Sequence, residues 1–99
     1  MIKLVAFYSR PADEAAFIDH YANVHTPLVH QIPGLQKLVV NRAIESPLGE
    51  PPYWMIAEMH FSDRAAFDAA LASPENRAAG RDIRNFAIGL VTLAVVEGD

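Results

Sequence analysis

The chain has 99 residues, of which 52% are hydrophobic and 20% are charged, a balance typical of one folded domain with a single core. Its net charge is −4 and its eight Lys and Arg residues are scattered, which argues against nucleic acid or an anionic membrane as a partner. It has no cysteine, no apolar run near the roughly 20 residues of a membrane span, and no signal-peptide architecture. We therefore expect one cytoplasmic domain over residues 1–99.

The first quarter of the chain predicts a strand followed by a helix. Residues 1–8 are a short apolar run rich in strand formers, and a Ser-Arg-Pro sequence ends it. From residue 12 onward the apolar side chains recur with the spacing of one helix face, and they are Phe17, Tyr21, Val24 and Leu28.

A proline divides this helical region. Thr26 precedes Pro27, which disfavours the α conformation at Thr26 and predicts that the first helix ends there. Thr26 can then cap a second short helix, with Pro27 at its first position. Pro33 and Gly34 stop this second helix. Residues 35–44 predict the second strand, and the Pro- and Gly-rich residues 46–52 predict a turn.

The second half of the chain repeats the alternation. Residues 53–61 predict a third strand, Asp63 caps a helix through residue 71, and Ser73 with Pro74 opens a helix to about residue 87. The inward side chains of that last helix are Ala79, Ile83 and Phe86. Residues 88–96 predict a fourth strand. The order is therefore β-α-β-β-α-β, an α+β fold of the ferredoxin-like type with an antiparallel sheet and both helices on one face.

The first and fourth strands predict a homodimer. The first and fourth strands are apolar at consecutive positions, whereas an antiparallel strand with one wet face should alternate apolar and polar side chains. Since both helices lie on one face of the sheet, the other face needs a second cover. We expect a second copy of the chain there, with the two sheets packed face to face.

Three of the four histidines, His20, His25 and His30, follow one another at steps of five residues. A helix turns about 100° per residue, so a step of five rotates about 140° and directs neighbouring histidines apart. Two metal ligands on one helix face need a step of three or four. The spacing predicts no metal site, and we expect no metal or haem cofactor.

His25 and His20 lie at the margins of the predicted helix stripe, about 80° and about 60° from Phe17 on opposite sides. A histidine at a margin can keep one nitrogen wet and one in a pocket, as a general acid–base requires. Either histidine could instead bind a backbone carbonyl at the edge of the core. The break at Thr26 would place His25 at a cleft mouth, and we expect His30 to be solvated.

The third strand offers a second polar pair. By the period of two, Glu58 and His60 share one face with Trp54 and Ile56, and the other face reads as core, with Tyr53, Met55, Ala57, Met59 and Phe61. Glu58 could orient His60 as a base. Alternatively, the two side chains form a buried polar pair inside the dimer, or contact the partner chain. Trp54 is interpreted as a packing residue.

The segment from Phe17 to Leu35 reads F-x-x-H-Y-x-x-x-H-x-P-L-V-x-x-x-P-G-L and resembles the EthD family of the dimeric α/β barrel superfamily. Residues 1–11 and 57–75 look like the family's first strand and its passage from the third strand into a helix. Members work without cofactors in a cleft between helices and sheet. His25 falls on the histidine that the related methylmuconolactone isomerases are thought to use. Those isomerases favour a tyrosine thirteen residues later, where this chain has Leu38.

The resemblance implies a cofactor-free isomerase, cyclase or dehydratase that acts on a small hydrophobic carbonyl compound or lactone, in catabolism or secondary metabolism. His25 would be the main acid–base residue and His20 the secondary one, with possible help from Glu58 or His60. The candidate substrate contacts are Phe17, Tyr21, Leu28 and Asn41.

Two other functions stay open. One is a monooxygenase of the same superfamily, haem-binding or cofactor-free, for which the chain offers Asn41, Trp54 and His60. The other is a ligand-binding or stress-associated dimer without catalysis.

Overall fold

Four antiparallel strands form one sheet in the order β2-β3-β1-β4, with helices packed on one of its faces. The computed structural model describes residues 1–98. The strands are β1 (Ile2–Tyr8), β2 (Lys37–Arg42), β3 (Met55–Phe61) and β4 (Val91–Glu97). The helices are α1 (Glu14–His20), α2 (Thr26–His30), α3 (Arg64–Leu71) and α4 (Pro74–Phe86), and a π-helical segment, Tyr21–His25, joins α1 to α2. The predicted ferredoxin-like β-α-β-β-α-β fold is confirmed.

The later strands are shorter or begin later than the sequence predicts. β2 lacks the ends of the predicted 35–44 segment, and β3 begins at Met55 rather than at residue 53. β4 begins at Val91, because Gly89 adopts a positive φ of 75° in the turn that follows α4. Ile88, which the pattern assigned to this strand, is 76% exposed in that turn. Apolar character alone therefore overestimated the strand lengths.

Capping side chains fix where the helices begin. Asp63 accepts a hydrogen bond from the backbone N–H of Ala66 at 2.8 Å, and the hydroxyl of Ser73 accepts one from Asn76 at 3.1 Å. Both predicted caps are confirmed. Asp13 caps α1 in the same way through the N–H of Ala16 at 3.0 Å. Because Ser73 and Pro74 set the start of α4, they also set which of its side chains face the sheet.

The chain stays helical through Thr26, so the predicted break at that residue is wrong. Thr26 has helical φ and ψ angles of −57° and −46°, and its N–H bonds to the carbonyl of Tyr21, five residues earlier. This wider turn precedes Pro27, which has no N–H to donate. The helix ends later, at a turn where Gly34 has a φ of 79°.

The π-helical segment also changes which side chains are buried. Val24, which the α-helical spacing predicted to face inward, is 43% exposed. The buried positions are instead Phe17, Tyr21, His25, Val29 and Ile32. His25 therefore lies on the central line of the buried face, and the predictions of a stripe-margin position at the end of a helix are wrong.

The predicted faces of the third strand are wrong at its start. Trp54 is 5% exposed, and its ring lies edge-on to that of Phe17 with a centroid distance of 5.2 Å. Its indole N–H donates a hydrogen bond to Glu14 Oε1 at 3.2 Å. Trp54 thus packs on the helix side of the sheet. Tyr53 contacts the Phe7 ring at 4.8 Å on the opposite side, because the alternation of strand faces begins only at Met55.

The described helices include none with both the length and the apolar character that crossing a membrane requires.

Candidate functional site

Two histidines share one buried carboxylate on α4. His20 Nε2 lies 2.9 Å and 3.0 Å from the two carboxylate oxygens of Asp82, and His25 Nδ1 lies 3.0 Å from Oδ2. Asn85 donates a further hydrogen bond to Oδ1 at 2.9 Å. The side chains of His25 and Asp82 are 6% and 5% exposed, and that of His20 is 26% exposed. The three side chains form a hydrogen-bonded cluster in which His25 is buried and His20 is partly exposed to solvent.

The π-helical segment brings the two histidines together. Its hydrogen bonds run between residues five apart, so a turn of this segment takes more than the usual 3.6 residues. His20 and His25 therefore lie above one another and reach the same carboxylate. The prediction that a step of five directs them apart is wrong, since it assumed an uninterrupted α-helix.

α4 supplies the rest of the cluster. Asp82 and Asn85 are three residues apart and share one face of α4. Phe86, four residues after Asp82, packs its ring against both imidazoles, with centroid distances of 4.7 Å to His20 and 5.0 Å to His25. The histidine rings are thus fixed by hydrogen bonds at one nitrogen and by an aromatic ring at their side.

The pKa values indicate how protons are distributed in the cluster. Burial acts to raise the pKa of Asp82, but hydrogen bonds from Asn85, His20 and His25 outweigh it, and the pKa lies below the usual value. Burial lowers the pKa of His25, and the nearby Asp82 opposes this only in part. An ionised carboxylate only accepts hydrogen bonds, so neutral His25 carries its proton on Nδ1. Its Nε2 then has a free lone pair.

An apolar cleft of about 210 Å³ opens beside His25, between the helix face of the sheet and helices α2 and α4. Its polar residues are Tyr8, His25 and Asn76. The rest of the lining is apolar or glycine: Leu4, Ala6, Val29, Ile32, Met59, Leu71, Ala79, Gly80, Ile83 and Leu93. An apolar cleft with a few polar groups is the usual form of a small-molecule site.

His25 and Tyr8 each offer this cleft a polar atom that has no partner. Neither His25 Nε2 nor the Tyr8 hydroxyl has a hydrogen-bond partner within residues 1–98. Both atoms keep some accessible surface, since no fully enclosed side-chain N or O atom of these residues lacks a partner. Burial raises the pKa of Tyr8 well above its usual value, and the Tyr21 hydroxyl and Asp82 add to the increase. Burial likewise raises the pKa of Tyr21 to about 12. Both phenols therefore keep their protons at neutral pH.

The second predicted pair lies elsewhere. His60 Nε2 and Glu58 Oε1 are 3.0 Å apart, and Lys3 Nζ lies 3.9 Å from the same oxygen. Their strand positions place all three on the sheet face opposite the helices, so Glu58 and His60 do not reach the cleft. Asn41 is exposed on that same outer face, whereas Trp54 is buried on the helix side. The structure therefore does not gather Asn41, Trp54 and His60 into one site.

The other predicted contacts surround the cluster rather than the cleft. Phe17 is 3% exposed in the core, and Tyr21 lies with its ring centroid 5.4 Å from that of His25. Leu28 is half-buried and packs on the neighbouring part of the core. His30 is exposed, as predicted. Of the eight predicted site residues, only His25 lines the cleft directly.

Sequence reasoning missed Asp82 and Tyr8. A signal for Asp82 was available, since it is three residues after Ala79 and four before Phe86, and is thus a lone charge on the predicted apolar face of α4. Tyr8 ends an apolar strand and gave no comparable signal. Across residues 1–98, the His, Cys, Asp and Glu side chains form no group of three or more suited to hold a metal ion.

Comparisons with known proteins give the family. The EthD domain model matches residues 9–88. The chain is 39% identical over 94 residues to the uncharacterized 11.0 kDa protein of the thcB-thcC intergenic region of Rhodococcus erythropolis, covering 94% of this chain and 90% of that protein. It is also 39% identical to an ethyl tert-butyl ether D (EthD) family protein from Bacillus halodurans, with a TM-score of 0.93 over 100% of this chain and 99% of that one.

A more distant structure shares only the fold. A dimeric ferredoxin-like protein of unknown function from Jannaschia is 17% identical, with a TM-score of 0.70 over 98% of each chain. The family model covers most of the present chain, and the two close relatives agree with it along nearly the whole length. The protein described here belongs to the EthD domain family.

Proposed function

We propose that this protein is a cofactor-free enzyme that moves a proton on a small hydrophobic carbonyl compound or lactone, as an isomerase, cyclase or dehydratase does. The observation that supports the proposal is the bond between buried Asp82 and Nδ1 of His25, which leaves Nε2 free on a residue that lines an apolar cleft. A base held in one tautomer by a carboxylate is the arrangement that general acid–base catalysis uses.

Each member of the cluster has a distinct part in the proposal. His25 takes a proton from the carbon beside the carbonyl group and returns it elsewhere on the molecule. Asp82 is a positioning residue that holds the imidazole and stabilises its protonated form. His20 bonds to the same carboxylate and also lines a surface concavity of about 370 Å³ on the far side of the cluster. It can therefore exchange protons with water while the cleft stays apolar.

Proton abstraction can be measured before the natural substrate is identified. We expect the protein to catalyse deuterium uptake from D₂O at the carbon next to the carbonyl in some members of a panel of ring ketones and lactones, followed by NMR. Neutral His25 is the active form, and burial lowers its pKa. The rate should therefore hold as the pH falls to about 6.5, the usual histidine value, and decline only below it.

Two results would contradict this proposal. One is a panel in which no compound exchanges faster with the protein than with a histidine-containing dipeptide at the same concentration. The other is a rate that already falls by half above pH 7, since a base with a lowered pKa cannot be protonated there.

The proposal includes a homodimer formed through the outer face of the sheet. That face carries the apolar side chains of Val5, Phe7, Val39, Ile56, Ala94 and Val96. Lys3, Glu58 and His60 lie on the same face. Lys3 and His60 are in the end row beside Val96, and Glu58 is in the central row between Val5 and Val39. The fold relative from Jannaschia is described as dimeric, which supports the same assembly here. The cytoplasmic location stays a prediction.

Light scattering tests the dimer. We expect twice the chain mass of 10.9 kDa at micromolar concentration, because soluble monomers rarely leave so large an apolar face uncovered. Ile56→Lys introduces a charge beside Phe7 on this face and should give a folded monomer. Leu48→Lys, at a side chain that is 97% exposed in a turn, is the control and should stay dimeric. A wild-type monomer, or an Ile56→Lys dimer, contradicts the assembly.

A further inference from the structure

The cleft beside His25 offers no positive charge to a ligand. None of the described residues that line it is Lys or Arg, and its polar groups are the neutral imidazole, one phenol and one amide. The carboxylate of Asp82 is bonded to Nδ1 of His25 at 3.0 Å and places a negative charge behind this lining residue. This negative charge already disfavours ionisation of the Tyr8 hydroxyl. The same field would oppose a ligand carboxylate in the cleft.

The size of the cleft limits the ligand as well. Its volume of about 210 Å³ exceeds the roughly 150 Å³ of an apolar cavity that holds benzene. One substituted ring therefore fits. Most of such a ligand would meet aliphatic side chains. Its polar part would meet the Tyr8 hydroxyl, His25 Nε2 and the amide of Asn76, whose Nδ2 already donates to the Leu71 carbonyl at 3.3 Å.

We propose that the cleft binds an uncharged single-ring compound with a carbonyl group, and that Tyr8 donates a hydrogen bond to the carbonyl oxygen while His25 Nε2 faces the adjacent carbon. This inference rests on the proposed function and narrows it in two ways. It excludes carboxylate substrates, and it assigns Tyr8 a direct contact with the reacting atoms.

The proton balance of the step uses only these two residues and the ligand. His25 Nε2 takes the proton from the carbon next to the carbonyl, the electrons of that C–H bond form a C=C bond, and the carbonyl electrons move to oxygen. The resulting enolate oxygen accepts a stronger hydrogen bond from Tyr8, which keeps its proton. Return of the proton from His25 to another carbon of the same system completes the isomerisation.

Binding of three probes of similar size tests the inference without any turnover. They are acetophenone, which is neutral with a carbonyl; benzoate, which is an anion at pH 7.5; and ethylbenzene, which has no oxygen. In NMR titrations we expect acetophenone to bind about fivefold more tightly than ethylbenzene, the gain of one ordinary hydrogen bond. Benzoate should bind at least about tenfold more weakly than acetophenone, because the cleft has no cation to meet its charge.

Two variants locate the hydrogen bond. Tyr8→Phe should lower the affinity for acetophenone to that for ethylbenzene and leave ethylbenzene binding unchanged, which also shows that the variant is folded. Tyr53→Phe, on the outer face of the sheet, is the control and should change neither affinity.

Several results overturn the inference: no binding of any probe, benzoate binding equal to or tighter than acetophenone, or equal losses of both neutral probes in Tyr8→Phe. If the affinities follow the expected order but no proton exchange is detected, the proposed catalysis fails and the binding site stands. Exchange on carboxylate compounds alone would support the catalysis and overturn the neutral-ligand assignment.

Discussion

Replacing His25 by asparagine should lower the rate of proton exchange by about 10²–10⁴-fold, the usual contribution of a positioned acid–base group. The asparagine amide nitrogen can occupy the place of Nδ1 and still donate to Asp82, so the cluster keeps its structure. Asparagine cannot carry the transferred proton, so only the chemistry is lost. NMR of deuterium uptake and thermal unfolding of the same sample measure the two effects separately.

His30→Asn is the matched control, because His30 is exposed at the end of α2 and should keep the wild-type rate. His25→Ala provides a second comparison. It removes a donor to the buried carboxylate and should lower the free energy of unfolding by about 1–3 kcal/mol. A folded His25→Asn variant that exchanges at the wild-type rate would show that His25 is structural.

Asp82→Asn should reduce the exchange rate by as much as about 10⁴-fold, the loss seen when the same change reverses the imidazole tautomer in a catalytic triad. The carboxylate accepts hydrogen bonds at both oxygens, whereas an amide accepts at one and donates at the other. An amide N–H directed at His25 favours the tautomer with its proton on Nε2. The lone pair then no longer faces the cleft.

Imidazole ¹⁵N shifts in the free protein report the tautomer, so this prediction does not depend on a substrate. We expect the His25 proton on Nδ1 in the wild type and on Nε2 in Asp82→Asn. Asp68→Asn, in an exposed ion pair with Arg64 on α3, is the control and should change neither tautomer nor rate. An unchanged tautomer together with an unchanged rate would remove Asp82 from the mechanism.

The fold could be predicted because its signals are local. Caps such as Asp63 and Ser73 act within three residues, and apolar runs indicate strands whatever lies far along the chain. Strand ends were harder to predict, since Ile88 is apolar yet lies in a turn at 76% exposure. The predicted face of Trp54, just before β3, was wrong for a related reason, because side chains alternate with a period of two only where strand pairing is regular.

The candidate site could be predicted only in part, because it depends on long-range contacts and on a departure from regular helix geometry. The sequence singled out His25, which lines the cleft, but its partner Asp82 is 57 positions away. The pairing of His20 with His25 requires hydrogen bonds between residues five apart, and spacing rules for α-helices do not include them. Glu58 and His60 do bond to each other as the strand period predicts, yet on the face away from the cleft.

The π-helical segment has a consequence for how such sites are found in other sequences. It holds one residue more than a regular turn needs, and its middle positions, Ala22 among them, are exposed. Two imidazoles that bind one carboxylate can therefore be encoded by H-x-x-x-x-H in a π-helical segment or by H-x-x-x-H in a regular α-helix. An alignment that treats the difference as a gap in a variable region would separate two chains whose side chains coincide in space.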